Sequence, residues 1–273
     1  MAKSNKKTKL MTIAETADRH SFYEKSVQNT TLDYKFVNKT FRKLRGRKPT
    51  SLREDFCGTA RMCREWVSRR KSNTAIGIDL DAEVLDWGRK HNLKPLDASQ
   101  QLRIKLVEDN VLTAETEQTD VVMAMNFSFQ LFKERESLGN YFKRVRECLV
   151  DDGVFFLDAY GGYESFQEMK EKTRHKKFTY VWDQARYNPI NGDMTCYIHF
   201  HFHDGSKMKK AFSYTWRLWT LPEIQELLHE AGFKKVTVYW EGTDKHGEGD
   251  SVFKPSKVGD ADAAWVCYIT AEK

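Results

Sequence analysis

An α/β domain built on a doubly wound, mostly parallel sheet is predicted by three observations. Short apolar runs alternate with amphipathic segments from residue 50 to residue 160. The run Leu52-Arg53-Glu54-Asp55-Phe56-Cys57-Gly58-Thr59-Ala60 reads as a strand that breaks into a tight turn and opens a helix. A second run, Ile76-Gly77-Ile78-Asp79, ends in a carboxylate about twenty residues beyond that turn, where it can accept hydrogen bonds from a ribose diol.

Residues 1–18 carry Lys3, Lys6, Lys7 and Lys9 and little to pack, so a basic, flexible, solvated tail is expected. Residues 19–48 form a helical cover, with Val27, Phe36, Val37, Phe41 and Leu44 at helical spacings around a break at Thr30-Thr31. Lys48-Pro49 punctuates before the first strand. A helix is predicted over 59–70, a second strand over 74–79, and a helix over 82–91 capped by Asp81. Residues 103–108 and 120–124 read as the third and fourth strands, apolar enough for a sheet buried on both faces. Leu138, Tyr141, Phe142, Val145, Cys148 and Leu149 repeat at the helical period, and Asp151-Asp152-Gly153 turns that helix into a fifth strand over 154–159. Such alternation favours parallel strands joined by right-handed crossovers.

The pattern then changes. Residues 178–186, 195–203 and 208–216 read as β-segments separated by Asn188-Pro189, Asn191-Gly192 and Asp204-Gly205, an antiparallel meander inserted over 174–219. Thr220-Leu221-Pro222-Glu223 is a capping box with an early proline, and Ala231-Gly232 closes the helix it starts. Strands over 235–240 and 264–271 complete a seven-stranded sheet, so the main domain spans 49–273.

Net charge is +6, with basic and acidic residues mixed outside the tail, so charge alone does not make a nucleic-acid binder. No apolar run approaches a membrane span and no signal-peptide core is seen; a cytoplasmic location is expected. The five cysteines are scattered and none forms C-x-x-C, which fits reduced thiols better than a zinc knuckle or a disulfide framework.

The turn also discriminates between nucleotides. Gly58 is its only glycine, where a pyrophosphate-binding turn would use G-x-G-x-x-G, and no G-x-x-x-x-G-K-[ST] run exists. A phosphate-poor nucleoside fits better, and S-adenosylmethionine (SAM) is the common one. Ligands of an open parallel sheet bind beyond the carboxyl ends of its strands. That rule nominates residues 54–59, Asp79 and Leu80, Asp109-Asn110, Asn126-Phe127-Ser128, and Asp158 with Tyr160.

Glu54-Asp55-Phe56-Cys57-Gly58-Thr59-Ala60 resembles the first motif of class I SAM-dependent methyltransferases, an acidic residue leading into Cys-Gly-Thr-Gly, with departures at Phe56 and Ala60. Ala231-Gly232-Phe233 resembles the turn before that family's C-terminal hairpin. The resemblance covers residues 20–270 and implies a Rossmann-like sheet with helices on both faces and an antiparallel last strand. It implies SAM as cofactor, Glu54 facing the methionine ammonium, Gly58 as the close-approach glycine, and Asp79 on the ribose. Asp109-Asn110 would contact the adenine, and Asn126-Phe127-Ser128 the methionine moiety and the substrate. Tyr23, Phe56, Cys57, Thr59 and Leu80 complete the expected cofactor set, Cys57 as a packing residue rather than a nucleophile.

The expected reaction is methyl transfer to nitrogen or oxygen, the acceptor being a small molecule, because the fourth strand lacks an Asn/Asp-Pro-Pro-Tyr signature and the meander resembles a substrate cover. Asp158, Tyr160 and Glu241 are candidate bases, with Tyr23 and Arg217 as orienting groups. The acid-rich loop 241–250 either attracts an amine substrate or is merely solvated. Aromatic residues crowd the meander; most are expected in its core, while a minority could meet the sulfonium or a cationic substrate. His199, His201 and His203 share one strand face, read as a polar face or substrate lining rather than a metal site. The alternatives are an RNA or protein methyltransferase docking through the tail and residues 42–48, a nicotinamide oxidoreductase, and a non-catalytic SAM-binding module.

Overall fold

The computed structural model describes residues 11–245 and 249–273, so the lysines of the expected tail and Glu248 lie outside the described residues. Three helices come first among the described residues: α1 (Ile13–Thr16), α2 (Arg19–Ser26) and α3 (Thr30–Arg45). Asp18 and Asn29 cap α2 and α3 by accepting the N–H groups of His20 and Leu32. Val37 and Phe41 bury the apolar face of α3 completely.

The alternating region follows as β1 (Ser51–Asp55), α4 (Arg61–Arg69), β2 (Thr74–Asp79), α5 (Ala82–Gly88), α6 (Ala98–Gln101), β3 (Ile104–Glu108), β4 (Thr119–Ala124), α7 (Arg135–Glu147) and β5 (Leu149–Gly161). A second run comprises β6 (Met169–Arg174), β7 (Phe178–Tyr187), β8 (Asp193–Phe202) and β9 (Lys207–Arg217). The chain ends with α8 (Leu221–Glu230), β10 (Lys235–Thr243), β11 (Gly249–Pro255) and β12 (Trp265–Glu272).

The main sheet has eight strands in the order β11-β10-β12-β5-β4-β1-β2-β3. β1 to β5 are mutually parallel, and β12 runs antiparallel to both β5 and β10. Strand order reverses between β1 and β4, which opens a crevice at their carboxyl ends. One face of the sheet is covered by α3 and α4, the other by α7 and α8, each sealing its own buried cluster. No described helix is long and apolar enough to cross a membrane.

Two strands exceed the sequence expectation. β11 adds an eighth, edge strand, so much of the expected acidic loop 241–250 is hairpin. β6 adds a fourth strand to the meander, whose order is β6-β7-β8-β9, and starts it at Met169 rather than residue 174. All of β6 after Met169 is exposed, and its charged residues lack the apolar alternation that marks a strand. Edge pairing to β7 alone forms it.

Two packing features rigidify the crevice. Arg53 and Asp55 of β1 form a fully buried ion pair, Nε to Oδ1 at 2.7 Å. Gly88 lets α5 lie on the loop after β1, since a Cβ there would sit 2.5 Å from the Thr59 carbonyl oxygen. Backbone does not yield as a side-chain tip does. Gly88→Ala is therefore expected to destabilise the fold by about 1–3 kcal/mol, read as a lower urea midpoint. An unchanged midpoint would show that α5 and the loop can separate freely.

Candidate active site

The loop after β1 is shaped by backbone conformations unusual for its residues. Phe56, Gly58 and Ala60 all have φ between 51° and 58°, the left-handed region that suits glycine and strains the other two. The Gly58 N–H donates to Asp79 Oδ2 at 2.8 Å, and the Asp81 N–H to Asp79 Oδ1 at 3.0 Å. Asp79 thereby fixes the loop to β2 and also borders the cavity at this edge. Burial raises its pKa, and these N–H groups oppose that shift.

Glu54 accepts from the Cys63 N–H at 3.1 Å and from the Cys63 thiol at 3.0 Å, tying β1 to α4. On β5, Asp158 accepts the N–H groups of Asn126 and Phe127, each at 2.9 Å. Those two residues also lie in the left-handed region, so Asp158 is the clamp that holds the loop after β4 in shape. Asp33 of α3 accepts the Tyr268 hydroxyl at 2.6 Å. Burial pushes all three carboxyls up: Asp33 to about 6, Glu54 to about 8 and Asp158 to about 7. Asp33 adds to the shift of the other two by charge repulsion, and none of the three has a salt-bridge partner among the described residues.

Two cavities lie at this end of the sheet, and Asp33, Glu54 and Asp158 are not among the residues that line either one. One of about 340 Å3 is bordered by Phe56, Asp79, Leu80, Asp109, Asn110 and Ser128. The other, about 320 Å3, lies under the meander between Phe127, Tyr160, Tyr180, Trp182 and Trp265. Tyr23, Asn126, Tyr214 and Trp216 line both, so the two cavities are neighbours across these four residues. Among the described residues, no lysine, arginine or histidine lines either one; the charged residues are Asp79 and Asp109 in the first, Glu164 and Glu171 in the second.

Other expected site residues are placed as follows. Asp109 accepts the Asn110 N–H at 2.7 Å, and Asn110 accepts that of Leu112 at 3.0 Å, forming the crevice wall beyond β3. Ser128 donates to the Met125 carbonyl. Cys57 is buried against Gly77, and Thr59 donates to Glu24 at 2.7 Å; both build the turn without lining a cavity. Tyr160 lines the second cavity and donates to Met194 Sδ at 3.1 Å. Burial raises its phenol pKa far above neutrality, which makes it a poor base.

Three expectations are corrected. Glu241 borders neither cavity: it accepts the Ser251 N–H at 2.9 Å inside the β10–β11 hairpin, at the far edge of the sheet. Arg217 pairs with Glu223 at 3.0 Å and lies over Trp219, facing a separate polar groove. Asp158 directs both oxygens to backbone N–H groups, which is a positioning geometry rather than that of a free base. The His199 ring is likewise committed. Its Nδ1 accepts the Lys210 N–H at 2.9 Å, so the proton sits on Nε2 and is donated to Asp183 at 3.0 Å.

Asp33 had no mark in the sequence beyond being an acid in the first turn of a helix, where helix-dipole stabilisation accounts for it. Glu164 and Glu171 come to the second cavity from the stretch between the predicted fifth strand and the predicted meander, and Gln184 and Trp265 from predicted strands in which neither was singled out.

No protein-family model and no curated protein matches the sequence. Solved structures do match its fold. A SAM-dependent methyltransferase from Clostridium acetobutylicum superposes with TM-score 0.64 at 16% identity, covering 92% of this chain and 96% of that one. An amino pentose methyltransferase from Micromonospora echinaspora gives 0.64 at 14% identity, covering 93% and 96%. A sugar N-methyltransferase from Streptoalloteichus gives 0.62 at 14%, covering 100% and 98%. The chain has the fold of SAM-dependent methyltransferases over nearly its whole length.

Proposed function

We propose that this chain is a SAM-dependent methyltransferase acting on a small molecule. The observation that carries the reading is the charge of the crevice. Among the described residues, the charged side chains that line both cavities are acids, set among aromatic rings, with no cationic side chain. A dinucleotide would bring a diphosphate against that surface at a large desolvation cost. SAM carries a sulfonium and an ammonium and no phosphate, so it complements the lining.

On this reading Asp79 accepts from the ribose hydroxyls, and Asp109 and Asn110 border the adenine. Glu54, with Asp33 and Asp158 behind it, forms the acidic region for the methionine ammonium. When bound, the sulfonium supplies an electrophilic methyl group for in-line displacement. The protein's part is to hold the acceptor in line with that methyl, at the junction of Tyr23, Asn126, Tyr214 and Trp216. The meander supplies Tyr214 and Trp216 to that region. The acceptor atom, nitrogen or oxygen, belongs to the second cavity.

Calorimetric titration of SAM and NADH into the full-length protein tests this. SAM is expected to bind and NADH not, and Asp79→Ala to weaken SAM at least about tenfold by removing both the ribose acceptor and the Gly58 anchor. Absent SAM binding, or NADH binding that depends on Asp79, would replace this reading with an oxidoreductase or a scaffold.

A further inference from the structure

Resting on that reading, we infer that the acceptor is an aliphatic amine, recognised through the positive charge its nitrogen carries. The second cavity is walled by aromatic rings from independent elements. Trp182 of β7 lies 6.0 Å from both Tyr214 and Trp216 of β9, and those two are 4.5 Å apart, ring centroid to ring centroid. Phe127 and Tyr160 face them from the main sheet, 4.7 Å from each other. The only charged side chains in this lining are Glu164 and Glu171, and neither has a salt-bridge or hydrogen-bond partner for its carboxylate among those described. Glu171 sits opposite Trp182 in the β6–β7 ladder and close enough to Tyr180 to raise its phenol pKa.

Aromatic faces attract cations, and attract them more strongly out of water. Two unpaired carboxylates at the same cavity add to that field and would repel an acidic acceptor. The charge changes in methyl transfer match this arrangement. The bound ammonium first loses one proton to water at the open side of the cavity, which frees its lone pair. As that lone pair forms the new C–N bond, the C–S bond breaks, its electron pair stays on sulfur, and the positive charge passes back to nitrogen. Rings and carboxylates around nitrogen therefore stabilise the transition state more than the neutral amine that reacts. The methylated nitrogen keeps its positive charge as an ammonium, so the bond-forming step itself needs no base. An alcohol acceptor would instead need a base at the reacting oxygen, and the ionisable groups here are peripheral carboxylates and phenols with raised pKa values.

The test uses the full-length protein saturated with S-adenosylhomocysteine, titrated with choline and with its neutral isostere 3,3-dimethylbutan-1-ol. The two probes have the same shape and differ only in charge. Choline is expected to bind about tenfold tighter or more. Trp182→Leu and Glu171→Gln should each cut that ratio to about threefold or less while leaving S-adenosylhomocysteine affinity unchanged. Glu171 is exposed on an edge strand, so its variant reports even if Trp182→Leu misfolds. Equal affinities, tighter binding of the alcohol, or no binding of either probe by protein that holds S-adenosylhomocysteine would overturn the amine assignment alone. Failure to hold S-adenosylhomocysteine would remove the methyltransferase reading and this inference with it.

Discussion

Arg53→Met is expected to cost about 3–5 kcal/mol of folding stability, measured by chemical denaturation. Arg53 is fully buried in β1, and every part of its guanidinium is used. Nε donates to Asp55 at 2.7 Å, Nη1 to Thr116 Oγ1 at 3.1 Å and Cys148 Sγ at 2.9 Å, and Nη2 to the Val111 carbonyl at 3.0 Å. Asp55 spends its other oxygen on the Tyr141 hydroxyl at 3.0 Å. Methionine removes the charge paired with Asp55 and leaves only the weaker pull of Arg144 against the burial that already pushes its pKa up. The double variant Arg53→Met with Asp55→Leu removes both charges, so most of the loss should return. That contrast separates an uncompensated charge from a merely smaller side chain. A single variant costing under about 1 kcal/mol would mean that Asp55 is relieved by water or a proton. The pair matters to function because β1 ends at Asp55, immediately before the loop that Asp79 anchors.

The same pair shows where sequence reading stops. The turn at 56–60, Asp79 and the box at Thr220 were legible because each is local: a glycine at a strand end, a carboxylate at a set distance, a hydroxyl three residues before an acid. The alternation of strands and helices was legible because its apolar periods persist through the core. Arg53 and Asp55 looked like the polar end of a strand, since nothing nearby in sequence says that Thr116, Tyr141 and Cys148 will enclose them. β6 and β11 are edge strands with a mostly exposed, charged or polar composition, so their pairing is decided by a neighbour rather than by their own pattern. Glu241 was assigned to the active edge from strand direction alone. Its strand lies beyond β12, two strands away from β5, and the hairpin carries its carboxylate away from the crevice. The Glu164 and Glu171 carboxylates needed the reverse inference, from the folded cover back to residues that looked like solvated linker.

The ligand-free protein is expected to lose several kcal/mol of stability, up to about 8, between about pH 5 and pH 8, and a bound SAM or S-adenosylhomocysteine to flatten that slope. Asp33, Glu54 and Asp158 hold their protons in the folded state up to about 6, 8 and 7, chiefly because they are buried, whereas an unfolded chain releases them near the ordinary carboxylate value. The folded state therefore binds more protons than the unfolded state across this window. For groups whose pKa is raised on folding, stability is fully present below the unfolded value and is lost as pH climbs through the folded one. Each retained proton contributes a slope of about 1.4 kcal/mol per pH unit, but repulsion makes the three ionise stepwise rather than together. An ammonium placed against them would favour the ionised forms, so ligand binding should release protons and tighten as pH rises toward 8. Denaturant midpoints at several pH values, with and without S-adenosylhomocysteine, read both effects. Glu54→Gln supplies the control: an amide cannot ionise, so about one proton's worth of slope should vanish. A ligand-free stability that is flat or rises over the window would show that these carboxylates are already charged and paired. The assignment of Glu54, with Asp33 and Asp158, to the methionine ammonium would then fall, while the acid and aromatic lining of the cavities would still stand.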